Sequence, residues 1–599
     1  MSTRWLSAIL VAAVLAVYAN ALSGPFVLDD QASVVENLQI RDFSLGQVLR
    51  PPIDSPVAAR PLVNLSFAIN YAIGGLDPRG YHVVNLALHI ACALLAFAVA
   101  RRALDVRLAF AAALLWAVHP LNSEVVNYVS QRTESMMAAL YLLTLYAAIR
   151  ARDAKRPAKW TAVAIAACAV GALCKESMAT APIAVALYDR IFLFDSWRAA
   201  LARRTSLYAG LAATRVIVAV TIASGGRAAV AGFSSGVSPW TYLLNQTAMI
   251  TEYLRLSAWP DRLVAFYGWP LPLTLADVAP YAVFIAFLGA ATIVALVRAP
   301  RLGFLGAWVF ITLAPASSIV PVATEVGAER RMYLPLVAVM VLLVRAASTI
   351  LRRRAAAQAI LLVVAASALG ATTLERNREY QSGVTLARTI VERRPTGAAH
   401  HMLAEQLLAG KQAEAAIPHF REAVARGNSR AAYTLGIVLF NEGQYPEAID
   451  RLEAFIATSG LPSPLVPRWL EPAPPEIVIS RVAIGRARLA QQQWRAASEQ
   501  ARMALAIAPA SAEAHLLMGD AAFGEQQWDL AATHYREYLG RRPDDPRILL
   551  NYGITQVAAE RLDEAVTAFA RAVERDPANA RARELLALAQ EDLGRSAGQ

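Results

Sequence analysis

The sequence predicts an all-α protein in two parts, a polytopic bundle of membrane helices followed by a soluble α-solenoid. Three observations predict it. Of 599 residues, 56% are hydrophobic and only 17% charged, where a soluble domain carries about 25% charged residues. Long apolar runs fill the first 373 residues. A 34-residue period runs through the last third, the period of a paired-helix repeat.

The apolar runs lie near 5–22, 81–100, 107–118, 134–149, 159–173, 177–193, 205–223, 278–297, 302–316, 333–350 and 356–373. A full span needs about 20 residues, so the shorter runs draw on polar residues at their ends. Arginine and lysine cluster in alternate connections: Arg101, Arg102 and Arg107; Arg150, Arg152, Lys155 and Arg156; Arg198, Arg203 and Arg204; Arg298 and Arg301; Arg352, Arg353 and Arg354. The positive-inside rule puts these connections in the cytoplasm. The loops at 23–80, 119–133, 224–277 and 317–332 then face the other side, with everything after 373. About eleven spans satisfy this arrangement. The stretch 240–258 offers a further span, but Asn245, Glu252 and Arg255 share one helical face there, which suits an interfacial helix better. Arg4, the first apolar run and "ANA" at 19–21 also fit a signal peptide. Either reading leaves the next loop outside.

The net charge of +11 is spent on these topology signals, so nucleic acid is not an expected partner. Cys92, Cys168 and Cys174 all lie in apolar runs and match neither a zinc site nor a disulfide framework.

Beyond a linker helix at 374–395, residues 396–599 repeat. Gly485, Gly519 and Gly553 are spaced by 34 residues, as are Ala497, Ala531 and Ala565, and Pro509, Pro543 and Pro577. Small residues where two helices cross, with proline after the second, indicate tetratricopeptide (TPR) repeats. Two less regular repeats precede them at 397–428 and 429–460, and a capping helix closes the array near 579–595. A proline-rich insertion at 461–476 should interrupt the stack. Such arrays form a groove that binds peptide segments; by themselves they imply binding, not chemistry.

The chemistry-bearing residues gather in the outward loops. "GPFVLDDQASVVEN" (24–37) sets Asp29 beside Asp30 just past the first span. "HPLNSEVVNYVSQRTES" (119–135) carries Pro120, suited to a helix start, with Glu124, Tyr128 and Arg132 then aligned at i, i+4 and i+8. "CKES" holds Lys175 and Glu176. "TEVGAERRMYLP" holds Glu325, Glu329, Arg330 and Arg331. "GYHVVNLALH" puts His82, Asn85 and His89 on one helical stripe. "RPLVNLSFAINY" (60–71), opening on Arg60, reads as a helix on the membrane surface with Leu62, Leu65 and Ile69 on its apolar side. Any one of these has an ordinary reading as an ion pair or helix anchor. Together they repeat acids and cations on one membrane face, which favours a shared site. Such a site suits glycosyl transfer from a lipid phosphate. Cations at the boundary would stabilise the departing phosphate, and a carboxylate could take the acceptor hydroxyl's proton. No His/Cys/Asp spacing demands a metal, so a divalent cation stays an open possibility.

"YANALSGPFVLDD", "RPLVNLSFAINY", "YHVVNLALH", "HPLNSEVVNYVSQR", "CKES", "AERRMYLP" and the repeats, in that order, resemble the transmembrane-and-TPR (TMTC-type) protein O-mannosyltransferases of the GT-C glycosyltransferase class, in a bacterial form. The resemblance implies a polyprenyl-phosphate sugar donor, a Ser or Thr acceptor on a protein held at the TPR groove, and inversion at the anomeric carbon. By motif position it implies Asp29 as base and Asp30 as second acid, with Glu124 and Arg132 the acid and cation of the second loop. Arg132, Lys175, Arg330 and Arg331 become donor-phosphate contacts, and His82, His89 and Arg60 further site candidates. It also implies a bacterial inner-membrane location with the repeats in the periplasm. Two other classes stay open: an O-antigen ligase-like or polysaccharide transferase, and a non-catalytic scaffold built around the repeats.

Overall fold

The computed structural model describes residues 2–53, 55–224, 232–352, 354–458 and 474–597. These fall into two compact units that meet in sequence between Ala399 and His400. Most of the proline-rich insertion lies outside the described residues.

The first unit is helical throughout its apolar runs. Its helices are α1 (Thr3–Tyr18), the single turn α2 (Leu45–Val48), α3 (Pro61–Gly74), α4 (Pro78–Ala100), α5 (Val106–Ala117), the short α6 (Ser123–Asn127) and α7 (Arg132–Asp153). There follow α8 (Pro157–Ala172), α9 (Ala181–Tyr188), α10 (Trp197–Ser224), α11 (Pro239–Ala258), α12 (Leu275–Arg298), α13 (Pro300–Leu313), α14 (Pro335–Ile350), α15 (Ala355–Glu379) and α16 (Gly383–Arg393). Proline opens α3, α4, α8, α11, α13 and α14, where its missing N–H costs nothing and its fixed φ fits the first turn. Asp77 and Asp105 cap α4 and α5 by accepting from backbone N–H groups of Arg79, Arg107 and Leu108. Between α12 and α13 the chain turns on Ala299 alone, and a Cβ at Gly303 would fall 2.3 Å from the Leu296 backbone. Only glycine lets that hairpin close.

Among the described residues, five helices are long and apolar enough to cross a membrane on their own: α4, α10, α12, α15 and α1 extended to Ser23. The pair α5–α6 makes a sixth, bent by 54°, and α8, α13 and α14 are shorter apolar helices. Val283, Phe287 and Val297 on α12 and Ile360, Val363 and Val364 on α15 are all exposed, outward apolar surface that belongs against lipid. The unit is a multi-pass membrane domain. The last span differs from the sequence expectation. It runs past 373 to Glu379, and a separate helix, α16, follows where one linker helix over 374–395 is expected.

Two loop expectations also meet the structure. In α3 the protein-facing side is Val63, Asn64, Phe67 and Ala68, which leaves Leu62 and Leu65 half-buried and Ile69 and Ile73 exposed. That outward stripe is the one expected to lie on the membrane surface. The outward loop expected at 119–133 is buried along its whole length, within a buried segment 116–135.

The second unit is the repeat array: α17 (Gly397–Ala409) with α18 (Ala413–Ala425), α19 (Ser429–Asn441) with α20 (Tyr445–Ala457), α21 (Pro474–Ala490) with α22 (Trp494–Ile507), α23 (Ala512–Gly524) with α24 (Trp528–Arg541), α25 (Pro546–Ala558) with α26 (Leu562–Arg575), and the closing α27 (Ala580–Ala597). The periodic glycines are where helices cross. A Cβ on Gly519 or Gly553 would meet the ring of Tyr535 at 2.7 Å or of Phe569 at 2.4 Å. Each turn between paired helices carries one left-handed residue. It is Lys411, Gln492, Gln526 and Glu560 in four repeats and Gly443 in the other.

Candidate active site

Asp29 and Asp30 are adjacent in sequence and opposite in environment. Leu28 holds φ at +48°, a left-handed conformation that branched side chains rarely adopt. Beyond that turn Asp29 is exposed and Asp30 is fully buried. The Asp30 carboxylate accepts from three backbone N–H groups: Val27 at 3.0 Å, Val129 at 3.2 Å and Ser130 at 2.6 Å. Asp29 is fixed from its backbone, its N–H donating to the Tyr128 hydroxyl at 2.7 Å. Asp30 therefore staples the turn to the bent α5–α6 segment, and Asp29 stands out from it.

This staple explains why Glu124, Tyr128 and Arg132 do not share one helical stripe. The helix stops at Asn127, and Tyr128 is extended (φ −94°, ψ 106°). The break frees the N–H groups of Val129 and Ser130 for Asp30, so the three side chains leave in different directions. Glu124, fully buried, accepts from the Arg330 backbone N–H at 2.9 Å and pairs with its guanidinium. The same guanidinium reaches Glu325 Oε2 at 2.5 Å. Arg331 donates to Glu325 Oε1 at 3.1 Å, to the Tyr242 hydroxyl and to the Ala316 carbonyl, both at 3.0 Å. Burial works against a charge on Glu325, but Arg330 and Arg331 hold its carboxyl down to about 2. The Tyr128 phenol feels the charges of Asp29, Asp30 and Arg330; burial and the two aspartates push it well above the ordinary range.

Arg132 turns the other way. It is fully buried and donates to Asn85 Oδ1 at 2.8 Å, to the Ser66 carbonyl and hydroxyl at 3.2 Å, and to the Tyr81 carbonyl at 2.9 Å. Its guanidinium also lies 4.8 Å from the Phe67 ring centre. The structure makes it a clamp joining α7 to α3 and α4, where an open phosphate contact is expected. Lys175 pairs with Glu134. Arg60 lies 3.6 Å from Glu176 and donates to the Pro56 carbonyl at 3.0 Å, forming a second charged cluster by the start of α3. His82 Nε2 is 3.0 Å from the Gly24 carbonyl and borders the aspartate turn. His89 does not. One ring nitrogen meets the Tyr333 hydroxyl at 2.7 Å and the other the Ala117 carbonyl at 2.9 Å, and the ring stacks on Trp116. It is a packing residue of the helix core.

Two features escape sequence reading. Asn20, Asn377 and Asn127 form a chain of amide hydrogen bonds of 2.8 and 2.7 Å that ties the end of α1 and α15 to α6. Glu329, fully buried, accepts from the Val264 N–H at 2.5 Å and lies 3.3 Å from Arg376. Arg376 hides among the charges just past residue 373, where the expected linker begins. Among the described residues, no group of three or more His, Cys, Asp or Glu side chains could hold a metal ion.

Burial raises Asp30 and Glu329 to about 7, only partly offset by their donors and, for Glu329, by Arg376. A carboxyl whose folded pKa is raised contributes stability that is full below its unfolded value and lost as pH rises through the folded one. Glu325 has the opposite sign, contributing above its unfolded value and failing only as pH falls toward about 2. The melting temperature in neutral detergent is therefore expected to fall between about pH 5 and pH 8, with a shallower slope in Glu329→Gln. An unchanged slope in that variant would remove Glu329 as a source.

Residues 54–223 match the family described as dolichyl-phosphate-mannose-protein mannosyltransferase, and TPR families match 369–431, 482–546 and 522–589. Among curated relatives, protein O-mannosyl-transferase Tmtc2 of Drosophila melanogaster is 36% identical over 29% of this chain and 20% of its own. TMTC3 of Mus musculus is 30% identical over 28% and 20%, and TMTC4 of Homo sapiens 30% identical over 31% and 29%. Over these stretches the chain is similar to transmembrane-and-TPR protein O-mannosyl-transferases. Its matches span only about a fifth to under a third of these relatives' lengths. The mannosyltransferase match takes in Arg60, His82, His89, Glu124, Arg132 and Lys175; Asp29, Asp30, Arg330 and Arg331 lie outside it.

Proposed function

We propose that the chain transfers a sugar, mannose by analogy with the O-mannosyl-transferases it is similar to, from a polyprenyl phosphate to Ser or Thr hydroxyls of a protein acceptor. The observation that carries this reading is the exposed Asp29 carboxylate on a turn locked by Asp30, with Tyr128 under the charge of both Asp29 and Arg330. Asp29 takes the acceptor hydroxyl's proton as its oxygen attacks the anomeric carbon. The bond from that carbon to the phosphate oxygen breaks, and the phosphate departs with the electron pair. Arg330, prevented from swinging away by Glu124 and Glu325, stabilises the negative charge that develops. Lys175 and Arg60, by the start of α3, line the donor's approach. The TPR array holds the acceptor segment, as such stacks do for extended peptides. The loop face is periplasmic in a bacterial inner membrane, following the arginine distribution.

The test is donor choice. Membranes containing the chain are supplied with radiolabelled polyprenyl-phosphate mannose in one arm and a labelled polyprenyl-diphosphate glycan in the other. Label from the monophosphate donor should reach protein in an alkali-labile linkage. Label transferred only from the diphosphate donor would make the chain a ligase-like polysaccharide transferase, and transfer from neither would leave the scaffold reading.

A further inference from the structure

The membrane domain contains an apolar cavity of about 580 Å³, a volume typical of a built ligand site. Its walls come from the ends of α4 and α9, the middle of α7, the start of α13 and the first two-thirds of α14, with Leu142, Phe192, Trp308 and Val341 among its apolar side chains. It is remote from the aspartates. His82 of α4 touches the aspartate turn, whereas α4 first reaches the cavity at Ala96 and lines it on to Ala100. Fourteen helical residues separate them, about 21 Å at 1.5 Å per residue. The α7 helix tells the same story: it starts at Arg132, just past the Ser130 N–H held by Asp30, and has Leu142 and Leu145 in the cavity wall.

The cavity also carries cations. Arg301 and Arg345 line it, both are exposed, and neither has an ion-pair partner among the described residues. Arg102 acts on the hydroxyl of Tyr188, which lines the same space. The nearby acid Asp189 is already held by Arg204 at 2.6 and 2.7 Å and by Tyr208 at 2.6 Å. An apolar volume within the bilayer, with uncompensated guanidinium groups where it reaches the basic side, is complementary to one kind of molecule. Acyl chains fill the cavity, and an anionic headgroup meets the arginines.

We propose that this cavity is a binding site for an anionic phospholipid of the leaflet opposite the aspartate turn. The donor's own chain is the poorer occupant. Its phosphate belongs near Arg330, and a molecule anchored there leaves Arg301 and Arg345 unmatched.

Native mass spectrometry of the full chain in neutral detergent tests the proposal. Phosphatidylglycerol should add one equivalent at least about tenfold more tightly than phosphatidylcholine with the same chains. Arg301→Gln/Arg345→Gln, which changes two exposed side chains, should abolish that preference, and Arg301→Lys/Arg345→Lys should keep most of it. Ala100→Phe, filling the cavity without altering charge, should lower occupancy by both lipids. Polyprenyl phosphate should bind in addition to phosphatidylglycerol. Equal binding of the two phospholipids, a preference that survives the double glutamine change, or one-for-one displacement by polyprenyl phosphate would each overturn the proposal.

Discussion

Asp29→Asn is expected to reduce sugar transfer by about 10²-fold or more while the protein melts and inserts as before. The side chain is exposed, and what holds the residue in place is its backbone N–H on Tyr128, which asparagine keeps. The substitution keeps the size of the side chain and removes the basic carboxylate. Asp30→Asn is a different experiment on a residue one bond away. An asparagine there has one acceptor oxygen facing three N–H donors and an NH₂ group pointed at the others. Unsatisfied buried donors cost about 1–3 kcal/mol each, so stability and activity should fall together. Initial rates and melting temperatures on both purified variants separate the cases. A fully active Asp29→Asn would dismiss it as the base. A large rate loss with unchanged melting in Asp30→Asn would move the role to the buried acid.

What the sequence made legible follows from where the information lies. A period of 34 residues is local and repeated, so the crossing points at Gly519 and Gly553 could be read before Tyr535 and Phe569 were seen against them. That the first part of the chain is built of apolar helices follows from composition alone. The paired acids in the first loop and the cations of the last could be listed, but not joined. Glu124 and Arg330 are 206 positions apart, and no local pattern records that one neutralises the other. The choice between Asp29 and Asp30 was likewise invisible, because it depends on the left-handed backbone at Leu28 and on donors 99 and 100 residues away. Helical spacing misled at Tyr128 for the same reason. Asp30's demand for N–H donors outweighs the helix propensity of that segment.

Arg132→Gln gives the second large effect, and it decides whether this residue is a clamp or a ligand for the donor. A phosphate-binding arginine keeps donor hydrogens free for the substrate; removing it raises KM and lowers the rate with little change in melting. Arg132 instead spends its donors on Asn85, Ser66 and Tyr81 and is sealed by the Phe67 ring. Hydrogen bonds to a charged group are worth about 1.5–3 kcal/mol apiece. Glutamine is too short to reach all three partners, so the loss should be about 3 kcal/mol or more, enough to lower the yield of folded protein and the melting temperature markedly. Arg132→Lys should fail as well, since a single ammonium cannot reproduce the planar fork that spans α3 and α4. The measurement is detergent-solubilised melting alongside donor KM on whatever fraction stays folded. Lower melting with near-normal KM in the surviving fraction identifies the clamp. Normal melting with a raised KM would place Arg132 against the phosphate after all, and would require its present hydrogen bonds to open when donor binds.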